Sequence, residues 1–378
     1  MAQAGQKVFN IGVIGYGLSA KIFQIPFINV TPSFKLHSIL QRNPTATSSA
    51  PRDHPDLQHF RAVEPFLADA SLDVVVLCTS PDTHFALARS ALEAGKHVFV
   101  EKPFVPTSAE ADALIALAAS RGLHICVYQN RRWDGDFQTV RRLLSAGEGE
   151  GPLGRVFEFE THFDRYRAGP PSTATWKGTL GLAGGGSALY DLGSHLVDQV
   201  YALFGMPAGV FAKLSDQRAG RQLGASDPGV EPDGVNMQLA YPGRGGLVVH
   251  VRISAVSAEA RQPRFWVRGT RGSYRKHGLD PQEDQLKAGM RPGDPGFGLD
   301  ADECHGRLVT VGEDGAPSAE QVYPNVVPGS YQKIYELFGE ALRGNGPVPV
   351  PATECRDVLR ILEAAKESAM TLREVQLS

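Results

Sequence analysis

The chain has 378 residues, of which 42% are hydrophobic and 21% are charged, and this composition excludes an intrinsically disordered protein. Its formal net charge of −3 argues against a domain that binds nucleic acid through the phosphates. The sequence has no apolar run of about 18 residues, so we expect no membrane-spanning helix.

The first third of the chain alternates between predicted strands and predicted helices. The strands are short runs rich in Val, Ile and Leu at residues 8–14, 35–42, 73–79, 97–101 and 124–128. Helices are predicted at residues 83–94 and 107–121, and Thr107 and Glu110 form a capping box at the start of the second one. This alternation predicts an α/β domain with a doubly wound parallel sheet, the Rossmann arrangement.

Strands dominate after residue 150. They are predicted at residues 155–163, 210–215, 235–241, 247–253 and 264–268, and helices at 137–145, 189–204, 331–342 and 354–372. This pattern predicts an α+β domain built on an open, mostly antiparallel sheet. The expected organisation is a Rossmann domain at 1–131, a connecting helix at 132–150, an α+β domain at 151–330, and C-terminal helices closing the two domains at 331–378.

The first predicted strand ends in a GxGxxA sequence, a permitted form of the dinucleotide-binding fingerprint. We expect Gly15 to allow a tight turn, Gly17 to let the backbone approach a pyrophosphate, and Ala20 to keep the next helix close to the strand. The candidate cofactor-binding residues of this turn are Gly15, Tyr16, Gly17, Leu18, Ser19 and Ala20. The alternative is a plain structural turn.

The end of the second predicted strand bears on the choice between NAD and NADP. An NAD enzyme places Asp or Glu there to bind the ribose 2′-hydroxyl. This chain has Gln41, Arg42 and Asn43 instead. Because an arginine can bind a 2′-phosphate, Arg42 favours NADP over NAD. The alternative is a solvated arginine at a strand end.

The fourth predicted strand runs into Glu101, Lys102 and Pro103. Ligands bind at the carboxyl edge of a parallel sheet, so Lys102 is expected to project toward the cofactor, with Pro103 stiffening the turn. Taken alone, a lysine at a strand end is more often a surface charge. Its place beside a nicotinamide site favours the functional interpretation.

The predicted helix at 189–204 carries a second candidate group. At 100° per residue, one face presents Asp191, His195, Asp198 and Gln199. One interpretation is an ordinary amphipathic helix with a polar outer face. The other is a catalytic pair, because a carboxylate can orient an imidazole that accepts an alcohol proton near neutral pH.

These motifs resemble the Gfo/Idh/MocA oxidoreductase family over essentially the whole chain. The resemblance rests on Gly15-Tyr16-Gly17, Thr79-Ser80-Pro81 followed by His84, Glu101-Lys102-Pro103, and Gly184-Gly185-Gly186 leading to Asp191-Leu192-Gly193-Ser194-His195. Within the family, residues 128–134 and 190–195 look most like NADP-dependent scyllo-inositol dehydrogenases and their relatives that act on sugars.

The resemblance implies roles for the matching positions. Lys102, Asp191 and His195 would form the catalytic group, in the cleft between the two domains, with His195 or Lys102 as the proton-transfer group. Cofactor contacts are implied for Thr79, Ser80, Pro81, His84, Glu101, Lys102 and Asn130, besides the glycine turn and Arg42. The substrate pocket would be lined by Lys102, Asn130, Arg131, Trp133, Arg165, Tyr166, Trp176, Asp191 and His195. Simple packing or surface charge is the alternative for each lining residue.

The sequence and the resemblance together predict reversible hydride transfer between NADP and a secondary alcohol of a cyclic polyol or sugar, with no metal because Lys102 can stabilise an alkoxide. Two alternatives are an NADPH-dependent reductase of an aldehyde, dicarbonyl or imine, and a non-catalytic NADP-sensing regulatory protein. The expected partner is a small-molecule substrate, without nucleic acid or membrane. The resemblance implies a dinucleotide-binding domain at 1–131, and a substrate and oligomerisation domain at 151–330 that pairs copies of the chain in a homodimer or homotetramer. The polar N-terminus lacks a signal-peptide pattern and the four cysteines form no CxxC pair, so we expect a cytoplasmic, reduced protein.

Overall fold

The computed structural model describes residues 7–145, 149, 151–173, 175–227 and 229–377. The chain divides into two compact units. The first comprises Met1–Asn130, Glu283–Phe297 and Ser330–Arg356, and the second comprises Arg131–Gln282, Gly298–Gly329 and Asp357–Ser378. The predicted N-terminal domain includes residues 1–6 and the predicted connecting helix includes 146–148 and 150, and these lie outside the described residues.

A parallel sheet forms the centre of the first unit. Its strands in the described chain are β1 (Phe9–Ile14), β2 (Phe34–Leu40), β3 (Gln58–Phe60), β4 (Val74–Leu77), β5 (His97–Val100) and β6 (Ile125–Val127). They follow the order β3-β2-β1-β4-β5-β6 and every pair is parallel. All four residues of β4 are buried, as expected for a strand covered on both faces. The predicted Rossmann sheet is confirmed.

Helices connect these strands and continue through the second unit. In chain order they are α1 (Ile25–Val30), α2 (Ala50–Asp53), α3 (Val63–Leu67), α4 (Pro81–Glu93), α5 (Ser108–Ser120), α6 (Gly135–Leu144), α7 (Trp176–Thr179), α8 (Ser187–Asp191), α9 (Gly193–Phe204), α10 (Gln282–Lys287), α11 (Gln332–Leu342) and α12 (Ala352–Thr371). A π-helical segment, Ser19–Gln24, precedes α1. The predicted capping box is confirmed, because Thr107 and Glu110 exchange hydrogen bonds at the start of α5. Across the described part of the chain, every helix is too short or too polar to span a bilayer.

A larger sheet forms the second unit. Its described strands are β7 (Val156–Asp164), β8 (Gly209–Asp216), β9 (Arg221–Gln222), β10 (Gly234–Tyr241), β11 (Leu247–Ser254), β12 (Pro263–Gly269), β13 (Gly272–His277), β14 (Gly306–Thr310), β15 (Gln321–Tyr323) and β16 (Val375–Gln376). The order is β15-β14-β13-β12-β7-β11-β10-β8-β16, with β9 paired to β8. Only the β7–β11 pair of the described sheet is parallel. The predicted α+β fold with a mostly antiparallel sheet is therefore confirmed.

One face of this sheet carries α9. Phe159 and Phe163 lie on the same face of β7, as the two-residue period of a strand requires, and both are buried. The Phe159 ring meets the Phe204 ring of α9 in an edge-on contact at 5.4 Å. This packing fixes α9 on the sheet and makes Phe163 a neighbour of its first turn.

The structure corrects the predicted helix at 189–204. It is two helices, α8 and α9, joined at Leu192, and it begins earlier than predicted, at Ser187. The interpretation of a polar outer face is wrong, because Asp191, His195, Asp198 and Gln199 are all at most 9% exposed. Hydrophobic periodicity cannot distinguish a solvated polar stripe from one that is buried with specific polar partners.

Candidate active site

Five parallel strands of the first sheet end in one row. Ile14 of β1 pairs with both Leu40 of β2 and Leu77 of β4. The row continues from Leu77 to Val100 of β5 and then to Val127 of β6. The next residue along each strand is Gly15, Gln41, Cys78, Glu101 or Tyr128. All the predicted cofactor motifs therefore begin at the carboxyl edge of the sheet, where ligands bind in open α/β folds.

The glycine turn has the geometry that a dinucleotide requires. Gly15 has a φ of +97°, and a side chain there would lie 2.7 Å from the carbonyl oxygen of Cys78. Gly17 is exposed, and no heavy atom of the described structure lies within 4 Å of the position that its side chain would take. Ala20 is fully buried, whereas Leu18 is 63% exposed. The open space at Gly17 fits the close approach of a pyrophosphate.

The loop after β2, residues 41–49, carries Arg42 on an exposed surface. Gln41 shapes this loop, since its amide donates to the Ser48 carbonyl at 2.9 Å and accepts from the Ala50 amide at 2.7 Å. Lys21 donates to Ser48 Oγ at 2.9 Å. The sequence analysis missed Lys21. Its position four residues after Gly17 places a cation next to the dinucleotide-binding fingerprint, and this was the available signal. Two cationic side chains therefore belong to the glycine turn and the loop that the adenine ribose would meet.

Tyr16 connects the glycine turn to α2. Its hydroxyl donates to Asp53 at 3.1 Å, and burial together with this bond raises the pKa of Tyr16 to about 12. Asp53 also accepts from Arg52, at 3.0 Å from Nε, and this bond lowers the pKa of the Asp53 carboxyl. Lys21 lies over the Tyr16 ring, 4.5 Å from its centre. Asp53 therefore accepts hydrogen bonds from both Tyr16 and Arg52, and the bond from Tyr16 anchors the glycine turn to α2.

Glu101 is buried and holds the lysine turn to the segment after the glycines. It accepts hydrogen bonds from Ser19 Oγ, from Gln24 Nε2 at 2.5 Å and from the Lys102 amide at 3.2 Å. Burial raises the pKa of the Glu101 carboxyl, and the bonds from Ser19 and Gln24 and the Lys102 charge oppose that rise. Of the predicted cofactor residues, Ser19 and Glu101 thus contact each other and position Lys102, which is half-buried.

His84 holds the same turn from the other side. Its fully buried imidazole contacts the carbonyl oxygens of Pro103 at 3.0 Å, Phe104 at 3.1 Å and Thr79 at 3.2 Å. Burial lowers the pKa of His84 more than these bonds to carbonyl oxygens raise it. The structure places His84 between the Thr79 and Pro103 segments. His84 therefore fixes the loops that carry Lys102, and its predicted contact with the cofactor stays a prediction.

Four further predicted cofactor residues follow strands of the first sheet. Thr79 and Ser80 precede α4, and both are held by Thr83, whose hydroxyl donates to Thr79 Oγ1 at 2.6 Å and to the Ser80 carbonyl at 2.7 Å. Pro81 is the first residue of α4. Asn130 is buried at the end of the first unit.

Phe163 is the centre of a cluster in the second unit. The guanidinium carbons of Arg131 and Arg165 each lie 4.8 Å from the centre of its ring. The imidazole of His195 stacks on the same ring, with centres 6.4 Å apart and planes at 25°. Three predicted site residues therefore meet on an aromatic side chain that sequence reasoning missed. The alternation of β7, which puts Phe159 and Phe163 on one face, was the available signal.

Asp191 is held by a residue that the sequence did not point to. Lys177 of α7 donates to both carboxylate oxygens of Asp191, at 2.9 and 2.7 Å. Lys177 also lies 5.3 Å from the ring centre of the neighbouring Trp176, a predicted pocket residue. No spacing rule connects residues 177 and 191, because the contact depends on how the chain folds back through Gly184, Gly185 and Gly186.

The other polar residues of α9 support the segment after residue 130. Asp198 accepts two hydrogen bonds from Arg132, at 2.8 and 2.7 Å, and Gln199 donates to the Arg131 carbonyl at 2.6 Å. Arg264 is fully buried and donates to Gln199 at 2.8 Å and to Asp136 at 2.9 Å. These charge-assisted bonds fix α9 relative to Arg131 and so place Arg131 against Phe163.

Some predicted site residues lie outside both the carboxyl edge of the first sheet and the cluster around Phe163. Tyr166 is 62% exposed and forms a bridge to Val256. Trp133 is half-buried, and its carbonyl accepts from Gln282 at 3.5 Å. Lys102 belongs to the first unit, whereas Asp191 and His195 belong to the second. Their joint action on one substrate stays a prediction.

Two sequence profiles of one family match the chain. Residues 9–129 match its NAD-binding Rossmann fold, and residues 149–377 match its C-terminal alpha/beta domain. Both are described as an oxidoreductase family, and the family is Gfo/Idh/MocA.

Known proteins resemble the chain along its whole length. It is 34% identical to the scyllo-inositol 2-dehydrogenase (NADP(+)) IolW of Bacillus subtilis, over 97% of this chain and 95% of that one. It is 39% identical to the uncharacterized oxidoreductase YdgJ of Escherichia coli, over 95% and 96% of the two chains. The solved structure of the oxidoreductase yvaA from Bacillus subtilis superposes with a TM-score of 0.87 and 32% identity, covering 98% and 99% of the two chains. The chain therefore belongs to the Gfo/Idh/MocA oxidoreductase family.

Proposed function

We propose that this oxidoreductase uses NADP and transfers a hydride between the cofactor and a secondary alcohol of a cyclic polyol or sugar. The observation that carries the proposal is the buried pair Asp191 and His195 of the second unit, because Lys177 holds Asp191 and Phe163 supports His195. Such fixed polar groups beside aromatic surface suit a ring that bears several hydroxyls. The resemblance to a protein named as an NADP-dependent scyllo-inositol dehydrogenase supports the same class.

The preference for NADP rests on charge at the loop after β2. Arg42 is exposed there, and the strand end has Gln41 and Asn43 in place of a carboxylate. Lys21 reaches the same loop through Ser48. A 2′-phosphate gains charge-assisted hydrogen bonds from such cations, whereas a free 2′-hydroxyl gains little.

The proposal gives each catalytic residue a role at a stated atom. The bound nicotinamide supplies hydride chemistry at C4. Lys102 Nζ binds the reacting oxygen and stabilises the negative charge that develops on it. The imidazole of His195 accepts the hydroxyl proton, and the Asp191 carboxylate orients the substrate through its hydroxyls. Lys102 is the alternative proton acceptor.

A direct test is a substrate screen with purified protein. Inositols, aldoses, aldehydes and dicarbonyl compounds are supplied with NADP and NAD for oxidation, or with NADPH and NADH for reduction, and the absorbance of reduced nicotinamide is followed. We expect the highest kcat/KM for a cyclic polyol or sugar with the NADP pair. Lys102→Met, assayed in parallel, identifies turnover that a contaminating enzyme causes.

Two outcomes would overturn the proposal. Reduction of open-chain carbonyls without oxidation of any ring alcohol would assign the protein to the reductases. Tight NADPH binding in a fluorescence titration without turnover of any compound would indicate a regulatory sensor.

A further inference from the structure

The Lys177–Asp191 ion pair is the starting point. The Asp191 side chain is 13% exposed, whereas Lys177 is 39% exposed. A carboxylate buried to this degree loses hydration, and an ammonium that contacts both of its oxygens compensates for that loss. Two contacts from one donor also fix the rotation of the carboxylate about its Cβ–Cγ bond.

The segment that supplies Lys177 has little regular structure of its own. Helix α7 has only four residues, and Gly181, Gly184, Gly185 and Gly186 follow it before α8 begins. Glu231 secures the return path, because its carboxylate accepts from the Leu182 amide at 3.0 Å. The lysine is therefore presented by a short, anchored loop of the second unit.

We propose that Lys177 is a positioning residue for the reaction, and that it fixes the Asp191 carboxylate in the orientation that binds a substrate hydroxyl. This inference rests on the proposed function for the role of Asp191. Without Lys177, the carboxylate rotates freely or turns toward water, and the substrate hydroxyl meets a partner that has to be reoriented. Lys177 itself needs no contact with the reacting atoms.

The geometry limits which side chain can replace lysine. Arginine keeps the charge and has a planar donor pair that can contact both carboxylate oxygens. Methionine matches the stem of lysine but has neither the charge nor the donors. The variants Lys177→Arg and Lys177→Met therefore separate the charged contact from the packing against Trp176.

Steady-state kinetics provide the first test. We expect Lys177→Met to raise KM for the alcohol and lower kcat, for a combined loss of about 10- to 100-fold in kcat/KM, as for a lost charge-assisted hydrogen bond. NADPH affinity, measured by fluorescence titration, should stay within twofold of the wild-type value. Lys177→Arg should recover most of the loss. The control is Lys287→Met, because Lys287 is similarly exposed and contacts only Glu283 among the carboxylates of the described chain.

A thermal double-mutant cycle provides a test that needs no substrate. Lys177→Met should lower Tm in the presence of Asp191 but not in an Asp191→Asn background, since the buried charge is then absent. If the cycle shows coupling in Tm but no ring alcohol is turned over, the Lys177–Asp191 ion pair is supported. Only the proposed function is then refuted. Wild-type kinetics in Lys177→Met, or additive Tm changes, would overturn the inference about Lys177.

Discussion

His195 stacks on Phe163, with ring centres 6.4 Å apart, and Phe163 also lies under the guanidinium groups of Arg131 and Arg165. One aromatic ring thus contacts an imidazole and two guanidinium groups. The stacking restricts the orientation of the His195 ring. A fixed orientation suits a base that accepts a proton from a bound substrate.

Phe163→Leu tests whether this stacking matters for catalysis. Leucine keeps most of the apolar volume but removes the aromatic face. We expect Phe163→Leu to lower the free energy of unfolding by about 1–2 kcal/mol, and to lower kcat by more than this loss of stability explains. Phe159→Leu on the same face of β7 is the matched control, because its ring packs on Phe204 and Phe265. Urea unfolding measures the stability of both variants. If the two variants lower kcat equally for the same loss of stability, Phe163 serves packing only.

Replacing His195 tests the base itself. We expect His195→Asn to lower kcat by about 10²- to 10⁴-fold while substrate binding suffers less, since asparagine still forms hydrogen bonds. Alcohol oxidation in the wild-type protein should rise with pH as the base loses its proton. The pH profile of kcat decides between the candidates: a rise that survives His195→Asn unchanged would assign the base role to Lys102.

Lys102→Met tests the stabilisation of the reacting oxygen. We expect kcat to fall by about 10²- to 10³-fold, the usual effect of removing one stabiliser of a developing oxyanion. NADPH binding should be retained, because Glu101 holds the turn to Ser19 and His84 holds it through the Pro103 carbonyl. Near wild-type turnover would make Lys102 a surface charge.

Arg42→Ala tests the cofactor preference. Loss of a charge-assisted contact of about 1.5–3 kcal/mol should weaken NADP binding by roughly 10- to 150-fold and leave NAD nearly unchanged. Arg89→Ala is a suitable control, since Arg89 is an exposed arginine of α4 that pairs with Glu93. Equal changes in the KM for both cofactors would refute the role of Arg42.

The first unit has a pH dependence that can be tested without substrate. Burial and the neighbouring His124 lower the pKa of His97 to about 4. The pKa of a histidine in the unfolded chain is about 6.5, so below that pH the unfolded chain binds a proton that the folded His97 ring does not bind. The free energy of unfolding therefore falls as the pH drops from about 6.5 to 4. His97 is partly exposed, so the change is on the order of 1–2 kcal/mol.

His97→Asn should remove much of this dependence. The asparagine oxygen can replace His97 Nδ1, which accepts from the His124 amide at 3.1 Å. Urea unfolding at several pH values between 4 and 7 provides the measurement. A variant that loses stability on acidification as steeply as the wild type would show that His97 is not responsible.

The fold could be predicted because its signals are local. Buried parallel strands appear as continuous apolar runs, and the Thr107 capping box marks the start of α5 directly. Strands β13, β14 and β15 were missed because they are short and mix polar with apolar residues. The break at Leu192 was missed because the apolar period continues through it.

The site was only partly visible in the sequence. Lys102, Asp191 and His195 stand out through motifs, but their supports do not. The alternation of β7 marks Phe163 as buried, but no local pattern pairs it with His195 or pairs Lys177 with Asp191. Glu101 illustrates the same limit, since its motif gave no sign that its carboxylate joins the lysine turn to Ser19 and Gln24.

The most direct test of the proposed function follows the hydrogen itself. A ring alcohol that the screen identifies is prepared with deuterium on the carbinol carbon and incubated with the protein and NADP, and the product cofactor is examined by NMR. The account predicts deuterium at C4 of NADPH and a slower rate than with the unlabelled alcohol. Reduced cofactor without deuterium at C4, or no reduction by any ring alcohol, would contradict it.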